Sequence, residues 1–165
     1  IENLRGNVNT RLRKLNESNW HGAIFAAAGL ERIGIRPTHA IDLDWMLPAP
    51  AQGAIVVVCR EKDGDIKKYC EPFNDRHTEM CTKIEKDFLK TLMGGCSVPI
   101  SALAEIKNDT VFFRGNIFSP DGTKYEEIEK KCSKDMADHI GITAAKEMIE
   151  NGGASVLEEI RNAAK

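Results

Sequence analysis

The sequence lacks the long apolar run that membrane-spanning proteins carry. No stretch of its 165 residues approaches the roughly 20 consecutive apolar residues that cross a bilayer. The first five residues have neither a basic start nor an apolar core, so we expect no signal peptide. We therefore expect a cytoplasmic protein with no membrane partner.

A strong charge of one sign is also missing. The 23 basic and 25 acidic residues leave a formal net charge of -2, and 42% of the chain is hydrophobic. These values are those of an ordinary globular protein. The basic residues at positions 5–14 have no aromatic side chains among them, and the rest of the chain is acidic, so we expect no nucleic-acid partner.

Paired cysteines are a third absence. The chain has five cysteines, an odd number, and none belongs to a CxxC pair. This argues against a zinc site or a disulfide framework and favours reduced thiols in a cytoplasm-like compartment. The four histidines fall in unrelated segments without ligand spacing, so we expect no metal site.

The first part of the sequence is typical of half an α/β domain. Residues 5–16 place apolar side chains at helical spacing after a turn. Residues 22–29 form a short apolar run that ends in glycine, which predicts a buried strand. One helical turn follows over residues 30–34. A single unit of this kind cannot cover both faces of a sheet, so residues 1–46 predict only part of a domain.

A linker separates this part from the rest. Residues 47–53 contain two prolines and a glycine, which predicts a break between domains. The uninterrupted β-branched run over residues 54–59 then predicts a central strand. A strand made for another sheet would leave unpaired backbone edges. We therefore expect this segment to pair with a second copy or with new neighbours.

Residues 61–165 predict a small α+β domain. Residues 101–132 are typical of three antiparallel strands, with a hairpin turn at Asp121-Gly122. We expect helices to cover one face of this sheet. The helices are expected over residues 65–73, 75–93, 135–151 and 154–163.

One cysteine, Cys96, lies on a glycine-rich turn. Gly94 and Gly95 allow backbone angles that leave its sulfur open on one side, and Pro99 stiffens the exit of the turn. A nucleophilic thiol needs a base or a helix N-terminus nearby, whereas a covalent attachment point needs only exposure and room. The turn fits attachment better, but spacing alone leaves both roles open.

Three arginines, Arg5, Arg11 and Arg32, are candidate anion-binding residues. A guanidinium is a planar fork that matches a carboxylate or a phosphate. Arg5 lies on the turn before a predicted helix and Arg32 just beyond a predicted strand, where α/β folds place ligand sites. A solvated basic face is the other interpretation of the same pattern.

Taken in order, these motifs resemble the porphobilinogen deaminase family, also called the hydroxymethylbilane synthase family. The family has the same blocks in the same order with similar gaps, and the resemblance covers nearly the whole chain. The blocks that carry it are residues 5–15, 26–34, 47–54, 59–60, 88–89 and 94–100.

The resemblance implies a transferase of porphyrin, tetrapyrrole and heme biosynthesis. Cys96 would carry dipyrromethane, a two-pyrrole cofactor held by a thioether, which primes a growing chain. Four porphobilinogen units would lose ammonia and join head-to-tail, and hydrolysis would release hydroxymethylbilane. Arg5, Arg11 and Arg32 would bind the carboxylates of cofactor and substrate. The loop-supporting residues would be Gly94, Gly95, Gln52 and Gly53.

The three-domain layout of the family implies the domain boundaries. Residues 1–46 would be the second half of domain 2, a partial periplasmic-binding-protein-like α/β half-domain. Residues 47–60 would be the hinge and the crossover strand of domain 1, and residues 61–165 the cofactor-attachment domain 3.

The same layout implies a C-terminal fragment that is inactive by itself. Most of domain 1 and the first half of domain 2 would be absent, and the family's catalytic aspartate with them. We therefore expect no catalytic acid or base in this chain and a free thiol at Cys96. The complete enzyme is expected to be monomeric, whereas the fragment can self-associate.

Two residues depart from the family pattern. Ala51 stands where glycine is usual, and Lys86 where an arginine is common. The first change could alter the crossover into domain 1. The alternative function is a non-catalytic module derived from this family, whose arginine face binds an anionic ligand or a partner.

Overall fold

The computed structural model describes residues 2–92 and 98–163. The chain divides into two compact units, residues 1–43 and residues 44–165. Cys96, Gly94 and Gly95 lie outside the described residues.

The first unit contains two helices. Helix α1 spans Val8–Glu17, and helix α2 spans Ala27–Glu31. The side chain of Asn7 accepts a hydrogen bond from the backbone N–H of Thr10 at 2.8 Å and so caps α1. An asparagine at this position satisfies one of the amides that a helix start leaves free. The predicted helix over residues 5–16 is therefore confirmed, with a start three residues later.

The strand predicted over residues 22–29 is wrong. Residues 23–26 have no regular structure, and α2 begins in the middle of the apolar run. Ile24 is 71% exposed. A strand is stable only when a neighbour pairs its backbone groups, and no strand is present among residues 2–43 to do so. The apolar composition alone was an insufficient signal.

The second unit is a three-stranded sheet with helices, as the sequence predicts. The strands are antiparallel in the order β1-β2-β3. Its helices and strands are α3 (Gly64–Cys70), α4 (Arg76–Thr91), β1 (Ile100–Lys107), β2 (Thr110–Phe118), β3 (Tyr125–Ser133), α5 (Ile140–Met148) and α6 (Ala154–Ala163). Short 3₁₀ segments span Glu71–Phe73 and Lys134–His139, and a π-helical turn spans Ile149–Gly153.

Tight turns connect the strands. Asn108 and Asp109 join β1 to β2 with φ angles of 49° and 58°, the left-handed geometry of a two-residue hairpin turn. Between β2 and β3, the carboxylate of Asp121 accepts a hydrogen bond from the Ser119 hydroxyl at 2.6 Å. The hairpin predicted at Asp121-Gly122 is therefore confirmed.

The core lies between one face of the sheet and helices α4 and α5. The rings of Phe88 on α4 and Phe113 on β2 are fully buried and meet edge to face, with centroids 5.1 Å apart. Helix α5 approaches α4 closely at Gly141, where an added Cβ would lie 2.2 Å from the backbone oxygen of Ile84. Only glycine permits this separation.

The strand predicted over residues 54–59 is also wrong for this chain. These residues form no ladder with any described residue. Ile55 and Val58 are each 83% exposed. The β-branched run has the composition of a central strand, but none of the described strands pairs with it. Among the described residues, no helix combines the length and the apolar character of a membrane span.

Candidate functional site

Arg11 on α1 carries a donor that needs an acceptor. Its side chain is half-buried, and its Nε is fully buried without a hydrogen-bond partner among the described residues. A buried donor left unpaired costs about 1–3 kcal/mol. A carboxylate can accept from Nε and a terminal nitrogen of the same guanidinium at once. Arg11 is therefore suited to bind an anion.

Arg5 and Arg32 are exposed near the ends of the two helices of the first unit. Arg5 precedes Gly6, whose φ of 128° turns the chain before α1, and the backbone oxygen of Arg5 accepts a hydrogen bond from Lys14 at 3.1 Å. Arg32 directly follows the last residue of α2. Within the described residues, no side-chain hydrogen bond or ion pair engages either guanidinium.

Arg36 shows the contrast with these three arginines. Its guanidinium donates to Asp42 at 2.6 Å and lies 3.4 Å from Glu31. An arginine with two carboxylates beside it is already neutralised and is a poor receptor for a further anion. Arg36 is thus already paired with carboxylates, whereas the guanidiniums of the other three arginines remain available to bind an anion.

Cys96, the predicted attachment residue, lies in the sequence between two stretches that belong to the core. Helix α4 ends at Thr91, and the next residue, Leu92, is fully buried. On the other side, Val98 packs against the core and Ile100 begins β1. The described residues on both sides of Cys96 therefore belong to the core.

The linker residues Gln52 and Gly53 form a turn held by side chains. The Gln52 Oε1 atom accepts a hydrogen bond from the backbone N–H of Ala49 at 2.9 Å, and Gly53 has a φ of 86°. Gln52 therefore stabilises the linker, whereas its predicted support of the attachment loop stays a prediction. Ala51, where the family has glycine, also adopts a left-handed φ, of 60°.

Sequence reasoning missed Glu85, a carboxylate buried beneath this linker. It is 5% exposed and accepts hydrogen bonds from the backbone N–H of Ala51 at 2.6 Å and of Ala104 at 2.8 Å. Burial raises the pKa of its carboxyl, and these two hydrogen bonds oppose that effect. The available signal was the position of Glu85 beside Ile84 and Phe88, inside the apolar stripe of α4.

The other cysteines offer little reactivity. Burial raises the pKa of the Cys81 thiol, and the Glu85 carboxylate raises it further; burial also raises the pKa of Cys132. A raised pKa lowers the thiolate fraction, the form that reacts. The described residues contain no group of three or more metal-ligating side chains.

Comparisons with known proteins assign the two parts of this chain to one family. Residues 1–68 match the family model "Porphobilinogen deaminase, dipyromethane cofactor binding domain", and residues 79–150 match "Porphobilinogen deaminase, C-terminal domain". The chain belongs to the porphobilinogen deaminase family. The resemblance of its sequence motifs is thereby confirmed.

Curated relatives extend over almost the entire chain. Porphobilinogen deaminases from two strains of Acidithiobacillus ferrooxidans are each 38% identical to it over 165 residues, which is 99% of this chain. The match covers 53% of each relative. The chain thus spans about half the length of these curated relatives.

Proposed function

We propose that this chain is part of a hydroxymethylbilane synthase. The whole enzyme deaminates four porphobilinogen units and joins them head-to-tail into hydroxymethylbilane. The observation that carries the proposal is the order of the two family matches, over residues 1–68 and 79–150, at 38% identity to named porphobilinogen deaminases. No described feature favours the alternative of a non-catalytic anion-binding module.

The proposed cofactor is dipyrromethane, attached by a thioether to Cys96. When bound, it supplies the terminal pyrrole carbon onto which new units are added. The side chains of this chain fit its acidic substituents, because Arg11 has a buried unpaired donor and Arg5 and Arg32 have exposed guanidiniums. We assign the cofactor and substrate carboxylates to these three arginines, and loop support to Gly94, Gly95, Gln52 and Gly53.

The domain assignment is part of the same proposal. Residues 1–46 belong to the second half of domain 2, residues 47–60 to the hinge and the domain 1 crossover, and residues 61–165 to domain 3. The exposed Ile55–Val58 run supports the crossover, because β-branched residues are the composition of a strand that is buried when paired. The protein functions in the cytoplasm, and the complete enzyme is a monomer.

The chain by itself is proposed to be inactive. Turnover requires a catalytic carboxylate at the pyrrole nitrogens, and no aspartate here has the family's motif around it. The thiol of Cys96 is then free in this chain and carries the cofactor only in the whole protein.

Intact-mass spectrometry tests this proposal. The 165-residue chain should have its sequence mass and should not consume porphobilinogen, whereas the whole protein that contains it should carry a two-pyrrole adduct. The Cys96→Ser variant of the whole protein should lose adduct and turnover. The matched Cys59→Ser variant should keep both, since Cys59 is an exposed cysteine outside the loop. A whole protein without a Cys96-dependent adduct would refute the proposal.

Substitution of Arg11 tests the carboxylate role. Arg11→Lys keeps the charge but loses the Nε donor, so we expect the KM for porphobilinogen to rise at least tenfold in the whole protein. Arg13→Lys is the control, because Arg13 is exposed and paired with Glu17 on the same helix. Equal KM values in the two variants would contradict the assignment.

A further inference from the structure

The open edge of the sheet is covered by the linker and by Glu85. Strand β1 is an edge strand, so some of its backbone amides point away from β2. The N–H of Ala102 donates to the backbone oxygen of Pro48 at 3.0 Å, and the N–H of Ala104 donates to Glu85 Oε1 at 2.8 Å. Uncovered edges invite pairing with other chains. At this edge, the linker and one carboxylate accept hydrogen bonds that a neighbouring strand would otherwise accept.

Glu85 also holds the linker itself. Its second oxygen, Oε2, accepts the N–H of Ala51 at 2.6 Å. Ala51 has a φ of 60°, a left-handed geometry that costs a residue with a side chain about 1–2 kcal/mol. A charge-assisted hydrogen bond from a carboxylate is strong enough to offset that strain. One side chain thus connects α4, the edge of β1 and the strained residue of the linker.

The chemistry around Glu85 is unusual for a buried carboxylate. The linker residues from Pro48 to Ala54 carry no titratable group. The titratable residues of α4 that line the cleft beside Glu85 are His77 and Cys81. Two further acidic groups, Glu105 on β1 and Asp75 at the start of α4, act on the Cys81 thiol. Neither a lysine nor an arginine pairs with Glu85 among the described residues. Backbone amides alone compensate its charge.

We propose that Glu85 is the positioning residue that fixes the linker, residues 48–53, to helix α4. The same helix leads directly into the segment that contains Cys96. Six residues of α4, residues 86–91, lie between Glu85 and the buried Leu92. The helix that holds the linker therefore also leads toward the predicted attachment residue. The effect of Glu85 on the attachment of dipyrromethane at Cys96 rests on the proposed function. The anchoring of the linker by Glu85 does not rest on it.

Amide hydrogen exchange in the 165-residue chain tests the anchor. In Glu85→Ala, the amides of Ala51 and Ala104 should exchange at least tenfold faster than in the wild type, while core amides such as that of Phe113 stay protected. Glu79→Gln is the matched control, because Glu79 lies on the same helix but is exposed and pairs with Arg76. Unchanged exchange at Ala51, or an equal change in the control, would overturn the proposal.

A second measurement needs no substitution at Glu85, so it remains decisive if Glu85→Ala fails to fold. The amide proton shifts of Ala51 and Ala104 should titrate with one common midpoint, above the usual pKa of a glutamate, because both donate to the same carboxylate. A His77→Gln background removes the neighbouring histidine from the titration. Separate midpoints, or none, would refute the shared anchor.

The two proposals fail in different ways. Both amide measurements use the chain without porphobilinogen, so they report on the anchor even if the whole protein forms no adduct. In the whole protein, Glu85→Gln should lower the fraction loaded at Cys96, since a glutamine offers only one acceptor oxygen for two amides. If Glu85→Gln carries the normal fraction of cofactor although its Ala51 amide exchanges rapidly, anchoring of the linker and cofactor attachment are independent. That result would overturn the proposed link between them.

Discussion

Gly141 is the position at which a single methyl group should do the most damage to the second unit. In Gly141→Ala, the new Cβ would lie 2.2 Å from the backbone oxygen of Ile84 and 3.2 Å from the backbone nitrogen of Phe88. Real Cβ contacts essentially never fall below 3.0 Å. Because both close atoms belong to a helix backbone, no side chain can move aside. To bring the contact with the Ile84 oxygen from 2.2 Å to 3.0 Å, helices α4 and α5 must separate by about 0.8 Å.

A separation of this size has a measurable cost. A gap of about 0.5–1 Å removes a quarter to a half of the dispersion energy of each contact across it. Overpacking of a core typically lowers the free energy of unfolding by about 1–3 kcal/mol. The better helix propensity of alanine offsets up to about 1 kcal/mol of this loss. We expect Gly141→Ala to lower the free energy of unfolding by about 2 kcal/mol, which corresponds to a Tm lower by about 6 °C.

Urea unfolding followed by circular dichroism at 222 nm measures this change. Gly64→Ala is the matched control, because Gly64 begins α3 and an added Cβ there meets no atom within 4 Å. The control should stay within about 0.5 kcal/mol of the wild type. A Gly141→Ala variant that is as stable as the control would show that the two helices do not pack at this distance.

Three further predictions concern the linker, the hairpin and the exposed run. Ala51→Gly relieves a left-handed φ and should raise the free energy of unfolding by about 0.5 kcal/mol, whereas Ala49→Gly, without such a φ, should lower it. Hydrogen bonds from the Ser119 hydroxyl and from the backbone and side chain of Thr123 lower the pKa of Asp121 from 3.8 to about 2. Asp121 therefore stabilises the fold above pH 3.8, and this contribution is lost as the pH falls through 2; in Asp121→Asn, the urea midpoint should lose that part of its pH dependence. Val57→Lys should weaken self-association in sedimentation experiments, because a charged side chain disfavours pairing of an exposed β-branched segment with a second copy. A wild-type chain that stays monomeric at high concentration would contradict this prediction.

The sequence was sufficient where the signal is local. Ile84 and Phe88 repeat at helical spacing, and both prove to be core residues of α4. The Asp121-Gly122 pair marks the β2–β3 turn, where the glycine adopts a φ of 73°. Periodicity and turn chemistry depend on neighbours within a few residues, so one sequence contains the information needed.

Long-range relations could not be predicted in the same way. Residues 22–29 and 54–59 have strand composition, but a strand exists only when other strands pair with it. In the sequence, Gly141 is an ordinary glycine in a predicted helix, and only the fold shows its close approach to the backbone of Ile84. Likewise, Glu85 is a charged residue in an apolar stripe, and only the fold shows the two backbone amides that donate hydrogen bonds to its carboxylate.

Helix α4 explains why stability and the proposed chemistry should be coupled. Its apolar face packs on Phe113 and against Gly141, its buried carboxylate holds the linker at Ala51, and its C-terminal end leads into the segment of Cys96. A separation forced at Gly141 acts on the backbone of α4 at Ile84, next to Glu85, so we expect it to lengthen the 2.6 Å hydrogen bond between Glu85 and Ala51 toward the distance of about 3.2 Å beyond which such bonds weaken. We therefore expect substitutions in the core around α4 to affect the proposed cofactor attachment at Cys96 as well as the stability of the fold.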